Sequence, residues 1–113
     1  MTPIKFLERL LEFFSDEARW TQGFFAKTVT GEHCASRAPE ATCWCLVGAC
    51  NKLVRDGGDD FYYAHEAASK LLHDQVAKRG FNGLDRFNDD YKTTIEDIRQ
   101  VINDSITEAR CAI

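Results

Sequence analysis

The chain has 113 residues, of which 44% are hydrophobic and 28% charged, and its net charge is −4 at pH 7. A chain of this length and composition folds as an ordinary globular unit, so we expect residues 1–113 to form a single domain. The negative net charge leaves no excess of Lys and Arg to neutralise a phosphate backbone, which argues against direct binding of DNA or RNA.

The N-terminal segment has the pattern of an amphipathic helix. Thr2 suits the N-cap and Pro3 the first helical position, and the apolar residues that follow recur at helical spacing. This pattern predicts helix one over residues 3–18. Charged residues interrupt the apolar stripe, so it resembles neither a signal peptide nor a membrane span. We therefore expect a cytoplasmic protein without a membrane partner.

Residues 19–37 lack a helical period. Gly23 and Gly31 bracket alternating and β-branched residues, which favours an ordered loop or a small hairpin of short strands. Within this segment, Trp20 and Gln22 must either bond their polar groups inside the protein or offer them to a ligand. The first alternative is a tryptophan that fills the core while Gln22 bonds loop backbone, and the second is a binding site.

Helix two is predicted over residues 38–54, with Pro39 in its first turn. The run Cys43–Cys50 is apolar on every side, which is typical of a helix at the centre of its domain. Gly48 and Ala49 are small enough to let a neighbouring helix approach closely. The sequence thus predicts that helix two is buried and central.

Two further helices follow the break at residues 55–60, RDGGDD. Apolar positions at helical spacing predict helix three, which ends with Gly80 as its C-cap. Thr93 and Glu96 form a capping box that begins helix four. The predicted fold class is therefore all-α: a compact four-helix domain around a buried central helix, with an irregular segment after helix one that has room for a short hairpin.

Five cysteines without an export signal indicate free thiols in a reducing compartment rather than disulfides. Cys43 and Cys45 are candidate zinc ligands, with His33 and Cys34 upstream as partners. One residue separates the first two thiols, however, and in a helix they would point about 200° apart. A second pair of ligands is also missing. We therefore predict no metal site and no cofactor.

A nucleophilic cysteine is another interpretation of this run. Cys43 or Cys45 lies in the first turns of predicted helix two, where the helix dipole would stabilise a thiolate. The remaining roles of a papain-like site could be filled by His65 or His73 as base, Asn88 or Asp89 as orienting group, and Gln22 as oxyanion donor. Each role is filled by choosing among several residues, and buried free cysteines are common in protein cores, so packing is favoured over catalysis.

Three short motifs span most of the chain: Trp20-x-Gln22-Gly23, Trp44-Cys45-x-x-Gly48-Ala49 and Asn88-Asp89. They resemble the motifs of a small domain family of unknown function, whose members are short proteins of bacteria and bacteriophages. The resemblance implies no known activity or cofactor. It singles out Cys45 among the thiols, and it leaves all three histidines outside the motifs.

These residues define the candidate binding site. We expect the segment 20–37 and the loop 80–92 to fold against one another or against one end of the bundle, with Cys45 beneath the polar groups that converge there. The candidate binding residues are Trp20, Gln22, Gly23, Trp44, Cys45, Asn88 and Asp89.

The leading functional hypothesis is a small cytoplasmic binding or interaction protein without catalysis, whose partner is another protein or a small-molecule ligand. The resemblance adds a phage origin, and with it an inhibitor of a host defence protein or a ligand-sequestering protein in the host cytoplasm. One alternative is a cysteine-dependent enzyme that uses Cys45 or Cys43. The other is a helical structural subunit of an oligomer, such as a homodimer.

Overall fold

The computed structural model describes residues 1–111. In this part of the chain it has five α-helices, a short 3-10 helix and three β-strands. The helices are α1 (Pro3–Phe13), α2 (Leu46–Gly57), α3 (Asp59–Lys78), α4 (Leu84–Asp89) and α5 (Ile95–Cys111). The 3-10 helix is Glu17–Arg19, and the strands are β1 (Ala26–Thr28), β2 (His33–Cys34) and β3 (Ala41–Trp44). Among these described residues, no helix combines the length and the apolar character that crossing a membrane requires.

The prediction of an all-α four-helix fold is wrong, because the chain forms a mixed α/β structure. A three-stranded antiparallel sheet, with strand order β2-β1-β3, accompanies the helices. In the β1–β2 hairpin Lys27 lies opposite His33, so the irregular segment after helix one does contain short strands. On the other side of β1, Ala26 lies opposite Trp44 of β3. The strands are too short for composition alone to reveal the sheet, which exists only through pairing between segments.

The predicted start of helix two near residue 38 is also wrong. The residues Ala41–Trp44 form β3, and α2 begins at Leu46 with Cys45 as its N-cap. An apolar run of this length fits a buried strand as well as a buried helix, and pairing with β1 decides for the strand. The helical separation inferred for Cys43 and Cys45 therefore does not hold, because Cys43 lies on the strand.

The core lies between α1, α3 and α5 rather than around α2. Its largest fully buried side chains include Phe6 and Leu7 of α1, Leu72 of α3 and Ile102 of α5. The buried residues of α2 lie in its first half, and its second half is half-buried or exposed. The prediction of a central helix two is thus wrong. The apolar run Cys43–Cys50 suggested a central helix. In the structure it is divided between the end of β3 and the first turns of α2, which is peripheral.

The ends of the other helices differ from prediction by a few residues. Thr2 caps α1 as predicted, since its Oγ1 accepts the Lys5 N–H at 3.1 Å, but the helix ends at Phe13 and not near residue 18. At the start of α5 the capping box is formed by Thr94 and Asp97, one residue later than predicted. The Asp97 N–H donates to Thr94 Oγ1 at 3.2 Å, and the Thr94 N–H donates back to the Asp97 carboxylate at 2.9 Å.

Candidate functional site

Asn88 is the centre of a hydrogen-bond network that joins α4, α2 and the segment before β1. Its side chain has no exposed surface. Oδ1 accepts from Trp20 Nε1 at 2.8 Å and from the Leu46 N–H at 3.0 Å. Nδ2 donates to the Thr21 carbonyl at 3.1 Å and to Asp89 Oδ1 at 2.9 Å. Since a primary amide has two donor hydrogens and two acceptor lone pairs, every hydrogen-bonding position of Asn88 is used.

Gln22 and Gly23 tie the same segment to the end of α4. Gln22 Nε2 donates to the carbonyls of Asn88 and Asp90, both at 2.9 Å. The Gly23 N–H donates to Asp89 Oδ1, also at 2.9 Å. Gly23 has φ +89°, a conformation that residues with a Cβ rarely adopt. The glycine therefore allows the chain to turn here while its N–H stays bonded to α4.

Both tryptophans satisfy their indole N–H groups inside the protein. Trp44 is buried, its Nε1 donates to the Ser36 carbonyl at 2.9 Å, and its ring packs on Phe13 with centroids 5.1 Å apart. Trp20 packs against the core and pairs by a parallel bridge with Trp44. The structure thus follows the first alternative for Trp20 and Gln22, in which their polar groups serve the fold.

The predicted site residues do converge. The network and its immediate surroundings bring together Trp20, Gln22, Gly23, Asn88, Asp89 and the N-cap Cys45, while Trp44 turns its ring into the core. Most of these residues take part in hydrogen bonds or packing contacts that stabilise the fold. That a ligand binds at this place stays a prediction.

A cleft of about 360 Å³, open to solvent, lies beside the network. Its volume is within the range of ligand-binding clefts in proteins. Its lining includes the predicted residues Gly23, Cys45 and Asp89, and adds Phe24, Phe25, His33, Cys34 and Asp85. The cleft therefore lies between the chain before β1, the β2 strand and α4.

The aromatic side chains of the cleft differ in how much they are engaged. Phe24 is stacked on His33, with ring centroids 4.1 Å apart and an interplanar angle of 14°. Lys27 Nζ also lies 5.4 Å from the Phe24 ring centroid. The Phe25 side chain is 56% exposed, although its backbone carbonyl accepts the Cys45 N–H at 3.1 Å. Phe25 thus offers an apolar ring to solvent from a fixed backbone.

The residues that sequence reasoning missed here had only weak signals. Phe24 and Phe25 are adjacent aromatic residues in a segment without a clear period, which does not show which ring faces outward. Asp85 precedes Asp89 by one helical turn, so the two share a face of α4. That relation was hidden because α4 lies in the predicted loop 80–92.

Cys45 is placed for helix capping and not for nucleophilic attack. The thiol is only 5% exposed, and its Sγ accepts the Gly48 N–H at 3.2 Å. Burial raises the pKa of Cys45, and this effect outweighs the backbone hydrogen bonds from Gly48 and Val47, which lower it. At neutral pH the side chain is therefore the unreactive thiol.

The histidines named as bases for a cysteine nucleophile lie elsewhere. His65 and His73 line a second cavity of about 160 Å³ together with Cys50. This cavity shares Asp85 with the cleft but does not include Cys45. Cys50 is itself buried, which raises its pKa to about 12. The structure therefore does not assemble the Cys45–His set considered from the sequence. Within residues 1–111, no group of three or more His, Cys, Asp or Glu side chains is arranged to hold a metal ion.

A family model described as "Family of unknown function (DUF6197)" matches residues 1–108. This confirms the predicted resemblance to a family of unknown function. No curated protein and no solved structure matches the chain.

Proposed function

We propose that this chain, which belongs to the family of unknown function DUF6197, is a small binding protein without a catalytic role whose ligand occupies the cleft beside Asn88. The observation that carries the proposal is the position of the hydrogen-bond network next to the cleft. Asn88, Gln22 and Gly23 hold two walls of the cleft together through side-chain and backbone bonds. A site whose walls are fixed before binding loses less conformational entropy when a ligand enters.

The exposed Phe25 ring supports the same proposal. A phenylalanine that is 56% exposed in a concave surface leaves apolar area in water, and covering this area with a ligand would stabilise the complex. Its backbone position is determined by the Cys45 N–H and by the close approach of Gly48. The fold thus holds this ring at the cleft.

Fragment binding followed by ¹H–¹⁵N NMR tests the proposal. We expect small aromatic and polar fragments to shift the amide signals of Gly23, Phe25 and Asp89 more than those of the rest of the protein. Phe25→Ala should weaken these shifts, whereas Tyr91→Ala, which removes an aromatic ring that is 84% exposed, should not. Fragments that shift no cleft signals, or that act equally on both variants, would contradict a binding site here.

Thiol labelling separates this function from that of a cysteine-dependent enzyme. With iodoacetamide at neutral pH, we expect the exposed Cys111 to be alkylated first and Cys45 only when the protein is unfolded, because a buried thiol with a raised pKa is neither accessible nor ionised. Mass spectrometry of tryptic peptides identifies the labelled residue. Labelling of Cys45 in the folded protein as fast as that of Cys111 would favour the enzyme instead.

We also propose a cytoplasmic site of action. The five cysteines are free thiols, and free thiols persist in a reducing compartment. The family resemblance suggests the more specific form of the function, an inhibitor of a host defence protein or a ligand-sequestering protein of a phage. Purification from a bacterial host with wild type and Phe25→Ala in parallel tests this. A partner retained by the wild type and lost by the variant supports it, and recovery of the same proteins with both contradicts it.

An oligomeric subunit is the second candidate function, because the chain has another apolar depression. A groove of about 550 Å³ lies where the start of α1, the middle of α3 and the end of α5 meet, and its lining includes Pro3, Ile4, Leu71 and Ala109. Sedimentation velocity at several protein concentrations tests this candidate, since mass action shifts the equilibrium between monomer and oligomer. A monomer at every concentration would exclude it.

A further inference from the structure

Resting on the proposed function, we infer that the cleft beside Asn88 receives an arginine side chain presented by a partner protein. Asp85 and Asp89 lie one turn apart on α4 and both line the cleft. Both are exposed. Within residues 1–111, the Lys and Arg side chains that form ion pairs do so elsewhere, so neither carboxylate has a cationic partner within 4.0 Å.

Two hydrogen bonds fix the orientation of the Asp89 carboxylate. Its Oδ1 accepts from the Gly23 N–H and from Asn88 Nδ2, each at 2.9 Å. Oδ2 has no hydrogen-bond partner in the described part of the chain. Like charges one helical turn apart repel each other, and a cation bound between Asp85 and Asp89 removes this repulsion.

Lys27, on β1, does not fill this role. Its Nζ lies over the Phe24 ring, 5.4 Å from the centroid, and among the described residues it forms no ion pair with Asp85 or Asp89. Phe24 is further engaged by its stacking on His33. The Phe25 ring, in contrast, has no aromatic or cationic partner in residues 1–111 and remains 56% exposed. The cleft thus combines one unoccupied ring with two unpaired carboxylates.

This combination fits a guanidinium group better than an ammonium group. The planar guanidinium stacks on an aromatic face and donates paired hydrogen bonds to carboxylate oxygens, whereas an ammonium is compact and more strongly hydrated. The cleft of about 360 Å³ has room for one long side chain. Because it is open to solvent, the backbone that carries the side chain can stay outside, as it does when a folded partner inserts a single arginine.

NMR titration with capped tripeptides tests the inference. The probe is acetyl-Gly-Arg-Gly-amide, and the matched control replaces arginine with citrulline, which has the same shape without the charge. We expect the arginine peptide to shift the Gly23, Phe25 and Asp89 amide signals with an affinity about tenfold higher than that of the citrulline peptide. Added NaCl should reduce this difference, because salt screens exposed charges.

Asp85→Asn is the informative variant, because Asp85 lines the cleft but takes no part in the Asn88 network. We expect it to lower the affinity for the arginine peptide severalfold and the affinity for the citrulline peptide by a smaller factor, because citrulline has no charge to lose its partner. Asp74→Asn, an exposed aspartate on α3, is the control and should change neither.

The outcomes separate this inference from the proposed function. If fragments bind at the cleft but the arginine and citrulline peptides bind equally, the inference of a charged ligand is wrong, while the proposed binding site is still supported. If the corresponding lysine peptide binds as tightly as the arginine peptide, the preference for a guanidinium group is wrong. If free L-arginine binds more tightly than the peptide, the arginine does not come from a partner protein. If neither fragments nor peptides shift cleft signals, the binding site itself is wrong.

Discussion

At the scale of single residues, Asn88 shows why a buried amide can be irreplaceable. Its two ends carry opposite hydrogen-bonding roles: Oδ1 faces two N–H donors and Nδ2 faces two acceptors. A substitution that changes either end leaves buried groups without partners, and such groups destabilise a protein more than a formed hydrogen bond stabilises it. The sequence indicated Asn88 through a short motif, but its role as the centre of the network depends on residues more than 40 positions away.

Asn88→Asp is therefore expected to lower the free energy of unfolding by roughly 2–4 kcal/mol. The new oxygen would face the Thr21 carbonyl and the Asp89 carboxylate, so that acceptors oppose acceptors. Urea unfolding measures the loss. Asn82→Asp makes the same chemical change at an exposed position nearby and should stay within about 0.5 kcal/mol of wild type. Equal midpoints for the two variants would mean that the network contributes nothing to stability.

His65 gives a prediction about pH. Its ring packs on Phe6 with centroids 5.3 Å apart, and burial lowers its pKa below the ordinary value of 6.5, against the smaller opposing effect of Glu66. The folded protein thus favours the neutral imidazole, and the unfolded chain takes up the proton first as the pH falls. This part of the stability is complete above about pH 7 and decreases as the pH drops below 6.5 toward the lowered pKa.

His65→Gln should accordingly lose less stability than wild type between pH 7 and pH 5. His73→Gln replaces the exposed histidine of the same cavity and is the matched control for the substitution itself. Urea unfolding at both pH values gives the comparison. A His65→Gln variant whose stability falls as steeply as that of wild type would show that burial of this imidazole is not coupled to folding.

At the scale of secondary-structure elements, the short contact between α2 and the chain before β1 positions the cleft. A Cβ built on Gly48 would lie 2.0 Å from the Phe25 carbonyl oxygen. The sequence correctly marked Gly48 as a point of close approach, but the partner is the backbone of Phe25 and not another helix. The same carbonyl accepts the Cys45 N–H, so the capping residue and the glycine act on a single backbone group.

We expect Gly48→Ala to destabilise the protein by about 1–3 kcal/mol, even though alanine favours helices, because the added methyl group forces α2 and Phe25 apart. Thermal unfolding measures the loss. Arg55→Ala, on the exposed part of the same helix, should have a small effect. A Gly48→Ala variant as stable as wild type would mean that the Phe25 segment moves away at little cost.

The elements also show the limits of sequence patterns. The capping box of α5 was predicted at Thr93 and Glu96, but the structure uses Thr94 with Asp97, while Thr93 is buried and its carbonyl lies 3.5 Å from Gln22 Nε2. Helix α4 is only six residues long and has too few turns to show a period. The strand β3 could not be distinguished from a helix until its partner β1 was known.

At the scale of the whole molecule, the sheet and the helices share one core. Trp44 of β3 packs on Phe13 of α1, and the Asn88 network binds Trp20 and Thr21 to α4. The two regions therefore stabilise each other, which favours a single cooperative unfolding transition. Both tryptophans lie in the region of the sheet, so their fluorescence reports on that region, whereas circular dichroism reports mainly on the helices.

We expect urea unfolding curves from tryptophan fluorescence and from circular dichroism at 222 nm to have the same midpoint. Asn88→Leu, which removes the link between α4 and the Trp20 segment, should lower the fluorescence midpoint more than the dichroism midpoint. Separate midpoints in the wild type would show that the sheet unfolds independently of the helices, contrary to a shared core.

The sequence by itself determined the family, whose motifs name the residues that meet near Asn88, and the approximate positions of the long helices α1, α3 and α5; it left room for short strands after helix one without deciding for them. These features depend on local composition and on periods that repeat over several turns. Only the tertiary structure decided that residues 41–44 pair as a strand, that α2 is peripheral, and that Asp85 and Phe25 face one cleft. The physical reason is that strand pairing and cleft formation depend on contacts between distant segments, whose free energy no local pattern records.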